Sequence, residues 1–284
     1  MENDDGAKLR SGVQSIDRAV AILRCFDSRS PELGITEVAK RTGLSTSTAH
    51  RILVSMAANR LIRQTSDKRY GLGPLLIQLA RNGAIPTTFR DVAMPFMMKL
   101  RDEVDETVGL HELLSTGERA VIDQAESRQE IRRHYTDIGV PVPLPHGAPG
   151  KVILSFLPWE RQEWWLSRSI RPVTPATVTD PERLRAELSR IRDQGWADSN
   201  AERTTGIRAV AAPIFDHTGG VIGAVGLSVP SMRIDEGRAA LLGSRAKETA
   251  WGISEALGAS DHAVQQNFQR ALPPTDERDE VIPG

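Results

Sequence analysis

Cysteine is almost missing from this 284-residue sequence: Cys25 stands alone, so no internal disulfide can form and a thiolate metal site is out of reach. Long apolar runs are missing as well, none approaching the ~18 residues of a membrane span. The opening Met1-Glu2-Asn3-Asp4-Asp5 is acidic where a signal peptide would be basic and then apolar, and the expectation is a cytoplasmic protein. Hydrophobic residues at 39% and charged residues at 26% disfavour disordered, collagen-like and fibrous chains. The length exceeds the ~100–200 residues of one domain, which favours two. A net charge of either sign is lacking too, at −1. That balance conceals an asymmetry: residues 11–83 carry eleven Lys/Arg against five Asp/Glu, and residues 84–284 carry 23 against 29. A basic first quarter suits a polyanionic partner, although a solvated basic face would account for charge alone.

What is present divides the chain. Residues 1–10 are polar and aperiodic, a frayed end. Ile16, Ala19, Val20, Leu23 and Phe26 fall on one helical face. A short second helix is expected from Thr36 as N-cap to Gly43. A third follows at once, with Ser45 as cap and Ala49, Ile52, Leu53, Met56 and Ala57 as its buried stripe. On that third helix Ser47, Thr48, Arg51 and Ser55 take the opposite face, as small or guanidinium side chains suited to nucleic acid. Leu61–Gln64 and Lys68–Leu72 flank a turn and read as a basic hairpin. Helix, short helix, tight turn, polar-faced helix and basic hairpin together make a winged helix-turn-helix over residues 11–73, in which the third helix enters the major groove and the wing, through Lys68 and Arg69, meets phosphates. A helical bundle with a basic surface is the bland alternative. Residues 74–86 read as a linker helix, residues 87–258 as a mixed α/β domain, and residues 259–284 as a disordered tail. The fold class is α+β.

Catalytic patterns fail one by one. Gly147-Ala148-Pro149-Gly150-Lys151 would need Gly at 145 and Ser/Thr at 152 to cradle phosphate, and Pro145 and Val152 stand there. Gly226-Leu227-Ser228-Val229-Pro230 lacks the second glycine of a nucleophile elbow. His111-Glu112 has Ser115 where a zincin needs histidine, and the six histidines show no ligand spacing. No catalytic residue, metal or cofactor is expected. Trp159, Trp164 and Trp165 read as a packing face rather than a ligand cage.

The segment GITEVAKRTGLSTSTAHRILVSMAANRLI with KRYGLG resembles the DNA-binding domain of the IclR family of bacterial transcriptional regulators. The blocks LPHGAPGKVILSFLP and GWADSNAERTTGIRAVAAPIFDHTGGVIGAVGLSVPSMRI and the final helix extend the similarity over about residues 14–258. The resemblance implies a winged helix-turn-helix, a linker helix and a GAF-like effector domain with a curved antiparallel sheet. It also implies homodimers or homotetramers on palindromic operators, acting as repressor or activator. Mapped by motif, the family's effector pocket falls on Leu144, Gly147, Ala148, Ser199, Ala209, Gly226 and Ser228. The expected function is a sequence-specific DNA-binding regulator modulated by a small organic acid; a constitutive architectural DNA binder and a DNA-tethered enzyme are the alternatives.

Within that pocket, amides of a loop leading into a helix at Lys151 would offer a carboxylate its donors, and Ser199 and Ser228 would add hydroxyls. Ala209 and Gly226 either leave volume for an apolar or aromatic effector body or merely permit close packing of the sheet.

Overall fold

A computed structural model describes residues 13–26, 30–81 and 88–273. The expectations for residues 1–10, for residues 82–86 of the linker and for residues 274–284 lie outside the described residues. Two compact units divide at Thr87/Thr88.

The first unit runs α1 (Gln14–Leu23), β1 (Glu32–Leu33), α2 (Ile35–Thr42), α3 (Thr46–Ala58), β2 (Ile62–Gln64), β3 (Tyr70–Leu72) and α4 (Pro74–Arg81). Its core gathers Ile22, Phe26, Leu33, Val38, Leu53, Met56, Ile62 and Tyr70. Helix α2 starts two residues before the expected point: Gly34 is the N-cap, not Thr36, because Glu37 reaches back to accept from the Gly34 amide at 2.7 Å. It ends at Gly43, whose φ of +69° is a left-handed conformation that costs glycine little. That turn delivers the chain to Ser45, whose Oγ accepts from the Thr48 amide at 3.2 Å and caps α3. Two features depart from the sequence reading. Ile16 and Val20, expected inside, are 59% and 40% exposed; from α1 and the residues after it the small core takes up Ala19, Ile22, Leu23, Cys25 and Phe26. The hairpin also gains a third strand: β1 pairs with β3, which pairs with β2, all antiparallel.

The second unit contains α5 (Phe89–Val104), β4 (Thr107–Leu113), β5 (Arg119–Ala125), α6 (Gly147–Phe156), α7 (Trp159–Leu166), α8 (Pro181–Gln194), β6 (Ala197–Asn200), β7 (Ile207–Phe215), β8 (Val221–Pro230), α9 (Glu236–Ala256) and α10 (Asp261–Phe268). Five strands form one antiparallel sheet in the order β5-β4-β8-β7-β6. Period-two alternation turns the side chains of each strand to opposite faces of the sheet, and helices cover both. Val108, Leu110, Val210, Ala212, Ile214, Val225 and Leu227 meet α5 and α9. Ala211, Phe215, Val221 and Ala224 join Leu144, Val152 and Leu154 and the α8 residues Leu184 and Leu188. Strand β6 was not expected; it is four residues long and carries Asp198 and Ser199, too polar to signal burial.

Helix α6 begins at Gly147 rather than Lys151, and the expected loop is its first turn. Past residue 258 the chain is not without structure: α10 docks on this unit, with Gln162 Nε2 donating to the Ala271 carbonyl at 2.9 Å and Asn267 Nδ2 to the Thr218 carbonyl at 2.6 Å. The apolar anchors Phe268 and Ala271 are spaced too sparsely to show as a pattern. Among the described residues, no helix is long and apolar enough to cross a membrane.

Candidate nucleic-acid interface and effector cavity

In the first unit, α3 turns Ala49, Leu53 and Met56 inward and leaves Ser45, Ser47, Arg51 and Ser55 exposed, with Thr48 half-buried. The hydroxyls at the start of α3 are linked: Ser45 Oγ donates to Thr48 Oγ1 at 2.8 Å and lies 3.1 Å from Ser47 Oγ. Arg51 enters no ion pair among the described residues, and its guanidinium projects from the middle of the exposed face. That is the side-chain set with which a recognition helix reads base edges.

The two basic residues of the wing differ. Lys68 is exposed and sits in the left-handed region, with φ +57°, where the turn from Thr65 closes by Lys68 N–H donating to the Thr65 carbonyl. Arg69 is not a free wing-tip cation: it donates to the Glu32 carbonyl at 2.8 Å and to Glu37 at 3.0 Å, tying β1 and α2 to β3. Glu37, held by the Gly34 amide and then by Arg69 and Arg41, has its carboxyl below the usual range.

In the second unit, register builds a site. Ser199 faces Ala209, and Ala209 faces Ser228, so three residues far apart in sequence stand in one row. The neighbouring row runs Ala211, Gly226, Gly109. These small residues let the first turn of α6 and Tyr135 come down on the sheet. A Cβ at Gly226 would lie 3.2 Å from Pro149 Cγ, and one at Gly109 would lie 3.0 Å from the Tyr135 ring.

Between the sheet, α6 and Tyr135 lies a cavity of about 40 Å³, lined among others by Gly147, Ala148, Ser199, Ala209 and Ser228. Five of the seven expected positions therefore converge. Leu144 and Gly226 do not: Leu144 is packed in the core, and the space over Gly226 is filled by Pro149. The helix start offers fewer donors than expected. Ala148 N–H is spent on Ser199 Oγ at 2.9 Å, and Pro149 has no N–H.

Sequence reasoning missed the polar wall. His111, Arg119, Arg133, Tyr135, Glu202 and Arg203 line the same cavity. Arg119, fully buried, donates to His111 Nδ1 at 3.1 Å and to the His146 carbonyl at 3.0 Å. Among the described residues its Nε has no hydrogen-bond partner, and neither has His111 Nε2. With Nδ1 accepting, the imidazole proton belongs on Nε2. Burial, then the charges of Arg119 and Arg203, hold His111 well below its usual 6.5. Burial, then Arg203, push Arg119 down to about 9. Tyr135 Oη lies 2.6 Å from Ser228 Oγ. A buried guanidinium with no carboxylate beside it carries a desolvation cost that an anion would offset. The spacing of Arg119 and Arg203, 84 residues apart in the numbering, gave no local signal.

The two units thus define a class: a winged helix-turn-helix DNA-binding protein with a second domain enclosing a cation-lined cavity. The family described as "Bacterial transcriptional regulator IclR C-terminal" matches residues 86–255, and the "IclR helix-turn-helix domain" matches residues 15–66. The chain belongs to the IclR family of transcriptional regulators. It is 30% identical to the HTH-type transcriptional regulator KipR of Bacillus subtilis over 86% of this chain and 97% of that one. It is 28% identical to the acetate operon repressor of Salmonella typhimurium over 89% and 93%. Among solved structures, an IclR homolog from Microbacterium hydrocarbonoxydans complexed with 4-hydroxybenzoate is 26% identical, with a TM-score of 0.55 over 87% of this chain and 100% of that one. The protein is a DNA-binding transcriptional regulator with a ligand-binding C-terminal domain, and these relatives are regulators rather than enzymes.

Proposed function

We propose that the chain acts without catalysis, as a homodimer or homotetramer on an operator of two inverted half-sites, and that a small carboxylate entering the cavity of the second unit changes its hold on DNA. Ser45, Ser47, Thr48, Arg51 and Ser55 are the proposed contacts of α3, with Lys68 at the wing. Gly147, Ala148, Ser199, Ala209 and Ser228 are the proposed effector contacts, joined by Arg119, His111, Tyr135 and Arg203. The observation that carries the ligand class is Arg119, buried with no counter-ion and no partner for Nε among the described residues. The complex of a related protein with 4-hydroxybenzoate supports an organic acid. Such a ligand acts only through the difference in its affinity for two arrangements of the protein. A single winged helix covers too few base pairs for tight sequence-specific binding, and a dimer doubles the contacts.

The test is footprinting on DNA flanking the gene, with and without a panel of short organic acids. Two inverted protected half-sites whose protection shifts with one acid are expected. A single half-site filled by monomer, or protection indifferent to every acid, would overturn the reading.

A further inference from the structure

The cavity carries more positive charge than one carboxylate can balance. Arg119, Arg133 and Arg203 line it against the single carboxylate of Glu202. Glu202 is already engaged: its Oε2 lies 2.6 Å from Nζ of the fully buried Lys151, which also lies 2.6 Å from Glu187 Oε2. Counting that ammonium and both carboxylates, four cations face two anions. Asp137 and Arg183, exposed at the edge, are of opposite sign and leave the excess unchanged. Arg133 lies over the Tyr135 ring, 5.0 Å from its centroid. Neither Arg119 nor Arg203 has an ion-pair partner among the described residues. Arg203 is lowered chiefly by burial, with Tyr135 and Asp137 acting in the other direction, and burial lowers Arg119 as well, so an anion in the cavity would offset the desolvation of both guanidiniums.

Resting on the reading of this cavity as the effector site, we propose that the effector is a compact short-chain dicarboxylate, one carboxylate held by Arg119 and the other by Arg203. Paired guanidiniums contributed by separate segments, β5 and the turn after β6, suit two acid groups on one short body. The small volume, roofed by Pro149 over Gly226, disfavours a long apolar body. The hydroxyls of Tyr135, Ser199 and Ser228 line a position for a hydroxyl or oxo substituent between the acids.

Isothermal titration of the full-length protein tests this. Malonate, succinate and malate are compared with propionate, butyrate and lactate, and with 4-hydroxybenzoate and glycerol 3-phosphate. At least one dicarboxylate is expected to bind about ten-fold or more tighter than its single-acid counterpart, a factor worth ~1.4 kcal/mol. Arg203→Met should reduce that preference to about three-fold or less while Arg203→Lys retains part of it, both variants melting as the parent does. A monocarboxylate or 4-hydroxybenzoate binding as tightly as any dicarboxylate would overturn the dicarboxylate class and leave the organic-acid reading standing. Preference for glycerol 3-phosphate would replace it with a phosphate dianion. No binding by any acid at millimolar concentration would remove both.

Discussion

Ser45 caps α3 through its Oγ while the same hydroxyl joins Ser47 and Thr48, so its first role is structural. Ser45→Ala should lower stability by about 1 kcal/mol, read as a shifted urea midpoint with unchanged slope; coincident midpoints would argue against the cap. Arg51 makes no ion pair among the described residues and lies on the exposed side of the same helix. Arg51→Ala should leave stability alone yet cost ~1–3 kcal/mol at the operator and relax preference at one base pair. Unchanged affinity of the folded variant would remove it from the base-reading set. Gly226 is different in kind. Its missing Cβ makes room for Pro149 Cγ and Ala211 Cβ, so Gly226→Leu should wedge α6 from the sheet and destabilise the second unit by ~1–3 kcal/mol. Normal melting of that variant would mean that Pro149 yields easily.

Among the elements, the wing separates two jobs that look alike in sequence. Lys68 is exposed at the turn, whereas Arg69 is held by Glu32 and Glu37. Lys68→Ala should weaken specific and non-specific DNA alike and make the log–log salt slope shallower by about one unit. Arg69→Ala should instead loosen the three-stranded sheet, lowering the melting temperature of the first unit and reducing DNA binding through misplacement of the wing. Equal salt slopes and equal melting for the two variants would contradict this division. Helix α6 shows the same logic in the other unit. Its apolar residues Val152 and Leu154 belong to the core, while its first turn is pinned by Ala148 N–H to Ser199, and it forms one wall of the cavity.

At the scale of the whole molecule, the buried imidazoles link stability to pH. His111 is held well below 6.5, first by burial and then by Arg119 and Arg203, and His146 is lowered too, chiefly by burial. The unfolded chain takes up these protons near 6.5 and the folded protein does not. The stability they contribute is therefore complete above that value and falls as pH drops below it towards the folded pKa. His111→Asn should flatten the decline in unfolding free energy between pH 7.5 and 5 relative to the parent. Parallel pH curves would show that His111 titrates alike in both states.

The sequence by itself determined what depends on neighbours along the chain. Helical spacing put Ala49, Leu53 and Met56 inside and Ser47, Arg51 and Ser55 outside, and Ser45 announced the start of α3. The hairpin of β2 and β3 was legible from its turn. The charge asymmetry and three quoted blocks pointed to the IclR family. Tertiary structure decided what depends on register and on burial. The row of Ser199, Ala209 and Ser228 exists because three strands pair in one alignment, and strand β6 is too short and polar to declare itself. Pro149 closes the space over Gly226, which sequence left open between ligand volume and packing. Helix α10 holds by a few widely spaced anchors. The cationic wall was invisible for the same reason: Arg119 reads as one more surface arginine in a strand, and only folding takes it out of water, withholds a counter-ion and sets it in a cavity with Arg203. Its electrostatic cost, and hence its meaning, arises from burial, a property that no local pattern encodes.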